Sequence, residues 1–222
     1  MAIHTIAIIG GTGKEGTGLA YRWVKAGYQV IIGSRHLDKA LETVKEILKL
    51  EGVSPSNISG AINKEALLNC DIAVITVPYR AHKEILSDLK NDLSGKILID
   101  VTVPLNPPNI AKVQMPAEGS ATLEAQKILG PQTQVVAAFQ NIAYVNLLNN
   151  DYQDCDILVC GGDIAVREIV INLVKDIGIT AWDAGPIENS VVVEGMTSIL
   201  LGINKKYGVR SAGIKITGVE KI

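Results

Sequence analysis

The chain has 222 residues, of which 47% are hydrophobic and 20% are charged, and its formal net charge is −2. This length suits one domain, or one domain with a small lobe. The near-neutral charge predicts no basic face and therefore no nucleic-acid partner. No apolar run approaches the roughly 18 residues of a membrane span. Three cysteines and a start without a signal-peptide pattern predict a cytoplasmic protein with reduced thiols.

The first predicted strand leads directly into a glycine-rich turn. The apolar run 6–9 is followed by the pattern G-x-G-x-x-G at Gly11, Gly13 and Gly16. In a dinucleotide-binding turn, the first glycine permits the tight turn, the second lets the backbone approach a pyrophosphate, and the third lets the next helix pack closely. The helix N-terminus offers N–H groups to phosphates. A plain strand-to-helix turn is the alternative, but the position between a β-branched strand and an amphipathic segment favours nucleotide binding.

Apolar runs and amphipathic segments alternate along the rest of the chain. The further predicted strands are residues 28–33, 58–61, 71–78, 96–102, 134–139, 157–162 and 180–183. The predicted helices are residues 37–50, 63–69 with Asn63 as a cap, 80–89, 120–129, 166–177 and 191–207. This alternation predicts an α/β, Rossmann-like fold with a doubly wound, mostly parallel sheet. We expect a nucleotide-binding domain over residues 1–185 and a small C-terminal helical lobe over residues 186–222.

A sheet of this kind binds ligands at the carboxyl ends of its strands. The expected binding positions therefore follow the strands directly: residues 11–13, 34–35, 78–79, 103–104 and 141–142. The irregular segment that follows residue 103 is longer than the usual connection, which also favours a binding role.

The end of the second strand predicts which dinucleotide binds. NAD-selective sites place a carboxylate there, whereas this chain has Ser34 and Arg35, with Lys39 one helical turn later. The Arg35 guanidinium suits a phosphate, and Thr12 can add a further donor. These features favour NADP. The alternative is that Arg35 and Lys39 form an ordinary solvated helix start.

The sequence offers no acid–base constellation. We predict that His4, His36 and His82 are surface or structural residues, with His82 on an exposed helix, and we assign no catalytic residue and no metal ligand. The absence of a general base favours hydride transfer between two redox carriers, since no substrate alcohol must then be deprotonated.

Motifs along nearly the whole chain resemble one family. They are Gly10–Gly13 with Gly16, Gly33–Arg35 with Lys39, Cys70–Val74 leading to Pro78, Val135–Phe139, Asp183–Pro186 with Asn189, Ser190 and Glu194, and Gly213–Lys215. Together they are similar to the F420-dependent NADP oxidoreductases, which pass hydride between NADPH and the deazaflavin coenzyme F420. The resemblance implies both as cofactors of this chain.

The resemblance also implies a role for each matching position. Within the glycine loop, the cofactor-binding residues would be Gly11, Thr12, Gly13, Lys14, Glu15 and Gly16. Thr12, Ser34, Arg35 and Lys39 would hold the 2′-phosphate of NADP. The nicotinamide would be flanked by Val77, Pro78, Val103 and Pro104. The segment from Phe139 to Ile142 would line the deazaflavin, and its backbone N–H groups would stabilise the charge of the reduced ring. The cofactor-binding residues here would be Ala138, Gln140, Asn141 and Ile142, and an ordinary strand-to-loop junction is the alternative.

Two residues depart from the family pattern, both on the acceptor side. Gln140 stands where the family has histidine, and Val191 stands where relatives have arginine. Two other functions therefore stay open: NADPH-dependent reduction of a flavin or metal chelate, and a non-catalytic NADP-binding module. The apolar stretch 191–201 predicts either burial within the lobe or a homodimer interface.

Overall fold

The computed structural model describes residues 5–148 and 154–219. Eight strands form one sheet: β1 (Thr5–Ile9), β2 (Gln29–Ser34), β3 (Ile58–Ile62), β4 (Ile72–Ile75), β5 (Ile97–Asp100), β6 (Gln134–Ala137), β7 (Asp156–Gly161) and β8 (Thr180–Asp183). Their order across the sheet is β3-β2-β1-β4-β5-β6-β7-β8. The strands β1 to β6 pair in parallel, β7 is antiparallel to β6, and β8 is parallel to β7. The predicted Rossmann-like, mostly parallel fold is therefore confirmed.

Helices cover both faces of the sheet. They are α1 (Lys14–Lys25), α2 (Leu37–Ile47), α3 (Asn63–Leu68), α4 (Tyr79–Leu89), α5 (Ala121–Leu129), α6 (Tyr144–Leu148), α7 (Ile164–Asp176) and α8 (Ser190–Tyr207). Two short 3₁₀ helices lie at Pro55–Asn57 and Ile187–Asn189.

Each central strand is apolar along its whole length because both of its faces are buried. In β1, Ile6 and Ile8 belong to the same core as Trp23 of α1, whereas Ile9 belongs to the core on the opposite face with Leu67 of α3. Successive side chains of a strand alternate between the faces, so one short strand supplies both cores.

The structure corrects three details of the sequence interpretation. Helix α2 ends at Ile47, before the predicted end at residue 50, because the chain continues in turns closed by the backbone of residues 49 and 50. The five-residue helix α6 was not predicted. Asn63 does not cap α3: Ile62 occupies the cap position, and the Asn63 Oδ1 accepts a hydrogen bond from the N–H of Gly10 at 3.4 Å.

The prediction of an exposed His82 is wrong. Its side chain is fully buried between α4 and the sheet, where Nε2 lies 2.8 Å from the Asp100 Oδ2. Charged neighbours along the chain suggested a solvated helix, but position 82 faces inward. His4 lies outside the described residues.

A buried carboxylate joins α8 to the sheet domain. The Glu194 carboxylate accepts hydrogen bonds from the N–H groups of Ala121 and Thr122, at 2.7 and 3.0 Å, and from the Thr122 hydroxyl at 2.7 Å. It thereby satisfies the donors at the N-terminus of α5. Burial raises the pKa of Glu194 to about 7, although these hydrogen bonds act in the opposite direction. The division at residue 185 stays a prediction.

The Glu194→Ala substitution should destabilise the fold. It leaves three buried donors without an acceptor, and each unsatisfied group costs about 1–3 kcal/mol, so we expect the free energy of unfolding to fall by about 3 kcal/mol or more. Urea denaturation measures this change. Glu188→Ala, at an exposed position just before α8, is the matched control and should shift stability by less than about 0.5 kcal/mol. Equal stability of the two variants would contradict the anchoring role.

Candidate functional site

A pocket of about 1140 Å³ opens at the carboxyl ends of the strands. We call it the strand-end pocket. Loops after four strands line it, through residues 12–15, 34–36, 76–81 and 101–107, together with part of the irregular segment after residue 107. A volume above the roughly 300–1,000 Å³ of a typical small-molecule site can hold a large ligand or parts of two.

The glycine turn brings α1 close to the sheet. The Gly11 N–H donates to the carbonyls of Ile8 and Gly33, at 3.2 and 3.0 Å. The left-handed residue of the turn is Gly10, with φ +70°, a role that the motif alone did not reveal. A Cβ on Gly10 would lie 2.4 Å from the Val77 side chain, and one on Gly16 would lie 2.7 Å from the Gly11 Cα. Glycine is therefore required here by close packing as well as by dihedral angle.

Gly13 differs from its neighbours because it has room. It forms the N-cap of α1, and a Cβ added there would meet nothing nearer than the Gly10 carbonyl oxygen at 3.8 Å. The first N–H groups of α1 have no partner within the helix and lie at the strand-end pocket. A helix N-terminus with this geometry binds anions.

The end of β2 supplies polar and cationic groups to the same pocket. The Ser34 hydroxyl oxygen accepts the N–H of His36 at 3.2 Å, which leaves the hydroxyl proton available to a ligand. Arg35 and Lys39 are exposed, and they line the pocket together with Thr12. The structure thus brings together the four residues predicted to read a phosphate.

The charge of the pocket is mainly positive. Among the described residues that line it, the cationic side chains are Lys14, Arg35, Lys39 and Arg80, and the one carboxyl is that of Glu15. The Glu15 Oε1 is buried without a hydrogen-bond partner, and burial raises the pKa of this carboxyl to about 8. Glu15 therefore stays largely protonated at neutral pH and does not oppose an anionic ligand.

Apolar residues also line the pocket. Val77 and Pro78 follow β4, and Val103 and Pro104 follow β5, and all four line the pocket. The sequence interpretation did not assign Thr76, Arg80 or Asn63, which also line it. Thr76 and Asn63 directly follow β4 and β3, which was the available signal for them, whereas Arg80 lies in the first turn of α4.

The predicted binding positions in the segment after β6 lie outside the lining of the strand-end pocket. Ala138, Gln140, Asn141 and Ile142 are buried and are not among the lining residues of the strand-end pocket. The side-chain amides of Gln140 and Asn141 donate hydrogen bonds to carbonyls of the protein backbone. The Gln140 Nε2 donates to the Asp100 carbonyl and the Asn141 Nδ2 to the Asp156 carbonyl, both at 2.6 Å. The Ile142 N–H donates to the carbonyl of Phe139 at 3.3 Å. A role for these residues toward an acceptor stays a prediction.

Residues 5–148 and 154–219 contain neither a metal-binding cluster nor a membrane-spanning helix. No group of three or more His, Cys, Asp or Glu side chains is placed to hold a metal ion. None of the helices in these ranges has the length and apolar character needed to cross a bilayer.

Comparison with known proteins identifies the family. Residues 5–104 match the family model described as NADP oxidoreductase, coenzyme F420-dependent. The F420-dependent NADP reductase of Methanocaldococcus jannaschii is 40% identical over 97% of this chain and 99% of its own length. The chain belongs to this family. The F420-dependent NADP reductase of Methanothermobacter thermautotrophicus is 37% identical over 99% of this chain and 97% of its own length.

A solved structure supports the fold. The crystal structure of an Arthrobacter sp. FB24 protein, proposed to be an F420-dependent NADP reductase, superposes with a TM-score of 0.80. It covers 96% of this chain and 98% of its own at 21% identity, so this likeness shows the architecture alone.

Two glycine substitutions should distinguish the position where α1 packs tightly on the turn from the position where space is left for a ligand. Gly16→Ala places a methyl group 2.7 Å from the Gly11 Cα and the Thr76 Oγ1, so we expect it to cost about 1–3 kcal/mol of unfolding free energy. Gly13→Ala has space and should leave stability within about 0.5 kcal/mol. Thermal or urea denaturation of both variants compares them. A Gly16→Ala protein as stable as Gly13→Ala would contradict the close approach of α1.

Proposed function

We propose that the strand-end pocket binds NADPH and that the chain transfers hydride between this nucleotide and coenzyme F420. Family membership over nearly the full chain supports the reaction. The observation that carries the assignment of the site is the cluster of Ser34, Arg35 and Lys39 at the end of β2, without a carboxylate. A 2′-phosphate is matched by such donors, whereas NAD-selective sites place an acidic residue there.

The residues of the pocket fit the nucleotide along its length. The pyrophosphate would lie at the N-terminus of α1, where Gly13 leaves the backbone open. The 2′-phosphate would be held by Thr12, Ser34, Arg35 and Lys39. The nicotinamide would then lie toward Val77, Pro78, Val103 and Pro104. These apolar walls exclude water from the reacting carbon and fix the plane of the ring.

The bound nucleotide supplies the hydride, and the chain orients the nucleotide and the acceptor relative to each other. In the direction of F420 reduction, NADPH loses one hydride, the deazaflavin gains it, and one proton from solvent completes the reduced acceptor. No described side chain needs to remove a proton from a substrate, because hydride passes between two redox carriers and no alcohol is oxidised. Protein-held orientation, rather than acid–base chemistry, is then the main contribution of the chain.

We place the acceptor between the irregular segment after β5 and residues 138–142. The first of these lines the strand-end pocket, through Leu105, Ile110 and Met115 among others. The second lies at the end of β6, the next strand across the sheet. Residues 186–222 would complete this acceptor side as a C-terminal lobe.

We also propose that α8 forms a homodimer interface in a cytoplasmic protein. Val192, Ile199 and Ile203 are 62%, 56% and 38% exposed, and their spacing of seven and then four residues places them on one face of the helix. An apolar stripe of this kind favours burial against a second copy. Sedimentation analysis of the purified chain tests this proposal, since a monomer at micromolar concentration would contradict it.

The reaction is tested by spectroscopy with defined acceptors. We expect the purified chain to oxidise NADPH in the presence of F420, and not with free flavin or a ferric chelate. Turnover with flavin or chelate alone would assign the chain to a different reductase class. Tight NADPH binding without turnover on any acceptor would identify a non-catalytic binding module.

Arg35→Ala should discriminate between the two nicotinamide nucleotides. The loss of a charged hydrogen bond to the 2′-phosphate costs about 1.5–3 kcal/mol, so we expect the Kd for NADPH to rise about 10- to 100-fold. The Kd for NADH should change less than about threefold, because NADH lacks that phosphate. Fluorescence titration measures both constants. Lys45→Ala, on the exposed side of α2, is the control and should bind both nucleotides like the wild type. Equal losses for NADPH and NADH in Arg35→Ala would contradict the assignment.

Glu15 should make nucleotide binding depend on pH. Its pKa is raised to about 8, so the carboxyl is neutral below that pH and becomes an anion beside the phosphates above it. We expect NADPH affinity to fall roughly tenfold between about pH 7 and 9 in the wild type. Glu15→Gln keeps the shape without the charge and should lose less affinity over this range. Parallel losses in the two proteins would show that Glu15 does not face the nucleotide.

A further inference from the structure

A largely buried polar cluster adjoins the strand-end pocket, and the proposed reaction does not use it. We call it the His82 cluster, and it consists of His82, Asp100, Glu124 and Glu194. The His82 Nε2 lies 2.8 Å from the Asp100 Oδ2, and both side chains are fully buried. The His82 Nδ1 lies 3.8 Å from the Glu124 Oε2 and has no hydrogen-bond partner. The cluster joins α4, β5, α5 and α8.

Both members of the closest pair are next to residues that line the pocket. On α4, Ala81 and Ile85 flank His82, and both line the pocket. On β5, Asp100 is followed directly by Val101 and Thr102, which line it too. The Asp100 Oδ1 also accepts the N–H of Thr102 at 2.9 Å, so the carboxylate fixes the first residues beyond the strand. The pair therefore ties two walls of one pocket together.

Asp100 is also hydrogen-bonded to the segment after β6, which is the predicted acceptor side. The Asp100 carbonyl accepts the Gln140 Nε2 at 2.6 Å, and the Gln140 carbonyl accepts the Thr197 hydroxyl of α8 at 2.7 Å. A continuous series of hydrogen bonds thus runs from α4 through the ends of β5 and β6 to α8. A shift of Asp100 would move both the predicted nicotinamide wall and the segment after β6.

The charges of the cluster favour a protonated imidazole. Burial lowers the pKa of His82, but the charge and hydrogen bond of Asp100, with smaller contributions from Glu124 and Glu194, raise it above its ordinary value. On the same helix, the Tyr79 ring lies 6.2 Å away, and burial together with Glu124 raises its pKa to about 12, so it stays neutral. Within the described cluster, His82 is thus the one cation that can balance the carboxylates, while Glu194, whose pKa is raised to about 7, is partly protonated near neutral pH. The charge balance is lost as the pH rises and Glu194 ionises while His82 loses its proton.

We propose that His82 and Asp100 form a positioning pair for hydride transfer, holding the wall after β5 against the first turns of α4. This inference rests on the proposed function. Neither residue touches the reacting atoms; the pair acts through residues 101–104 and Gln140. Because a misplacement of about 1 Å can cost about 100-fold in rate, loosening this pair should lower kcat more than it weakens nucleotide binding.

The test compares His82→Ala with His82→Gln. The alanine variant removes the donor to Asp100, so we expect kcat with saturating NADPH and F420 to fall about 10- to 100-fold, with the KM for NADPH within about threefold. The Nε2 of glutamine can donate to Asp100 but carries no charge. His82→Gln should therefore recover kcat to within about threefold of the wild type at neutral pH.

The pH profile separates positioning from a merely structural role. Wild-type kcat should decline as the pH rises through the raised pKa of His82, and His82→Gln should lack this alkaline decline. Saturating nucleotide keeps the effect of Glu15 on binding out of the comparison. The kcat of the double variant His82→Gln with Asp100→Asn should lie less than about threefold below that of the more impaired of the two single variants, since the two residues act as one unit.

Each outcome decides a different claim. Wild-type kcat in His82→Ala at a temperature where it is folded, or an unchanged alkaline decline in His82→Gln, overturns the positioning role. If His82→Ala does not fold, the profile of His82→Gln and its combination with Asp100→Asn decide alone. A wild-type chain that binds NADPH but does not reduce F420 overturns the proposed function instead, so the two failures are distinguishable.

Discussion

The close approach of α1 to the end of β1 is the constraint on which the rest of the structure depends. Two carbonyls, those of Ile8 and Gly33, hold the Gly11 N–H, and the glycines at 10 and 16 let the Val77 and Thr76 side chains pack against the turn. The exits of β1, β2 and β4 therefore meet at one place. A side chain at Gly10 or Gly16 would separate them, and the pocket that they form would lose its shape.

Much of this arrangement is encoded locally and could be predicted. The glycine spacing, the apolar strands and the Ser34–Arg35 pair each lie within a few residues, so the fold class and the position of Ser34 and Arg35 at the strand-end pocket follow from the sequence. The antiparallel direction of β7 and the five-residue helix α6 depend on packing between distant parts of the chain. The local hydrophobic pattern does not indicate either of them. Asn63 resembles a cap by residue type, but the Gly10 N–H competes for its side chain.

His82 shows most clearly why the remainder could not be predicted. Its neighbours Arg80, Lys83 and Glu84 give the helix a solvated pattern, and its partner Asp100 is 18 positions away along the chain. Only the crossing of α4 over β5 brings the pair together. Similarly, a formal net charge of −2 gives no sign that the described lining of the pocket is mainly cationic. Charge distribution in space is a property of the fold and not of the composition.

Gln140 gains a physical explanation from its contacts. The amide is neutral and needs no counter-charge in this buried place; its Nε2 donates to the carbonyl of Asp100, whereas its Oε1 is buried without a hydrogen-bond partner. The departure from histidine at this position therefore affects the predicted acceptor side and not Ser34, Arg35 and Lys39, which are predicted to hold the 2′-phosphate. Val191 is partly exposed at the start of α8, well separated in sequence from those three residues.

We propose that NADPH in the strand-end pocket and F420 beside it bind in contact, so that hydride passes directly between them. Turnover with NADPH that carries deuterium at the transferred position of the nicotinamide tests it most directly. The account predicts that the deuterium is recovered on carbon in the reduced deazaflavin, with none released to water. Reduced F420 that contains only solvent hydrogen would contradict direct transfer and, with it, this account of the site.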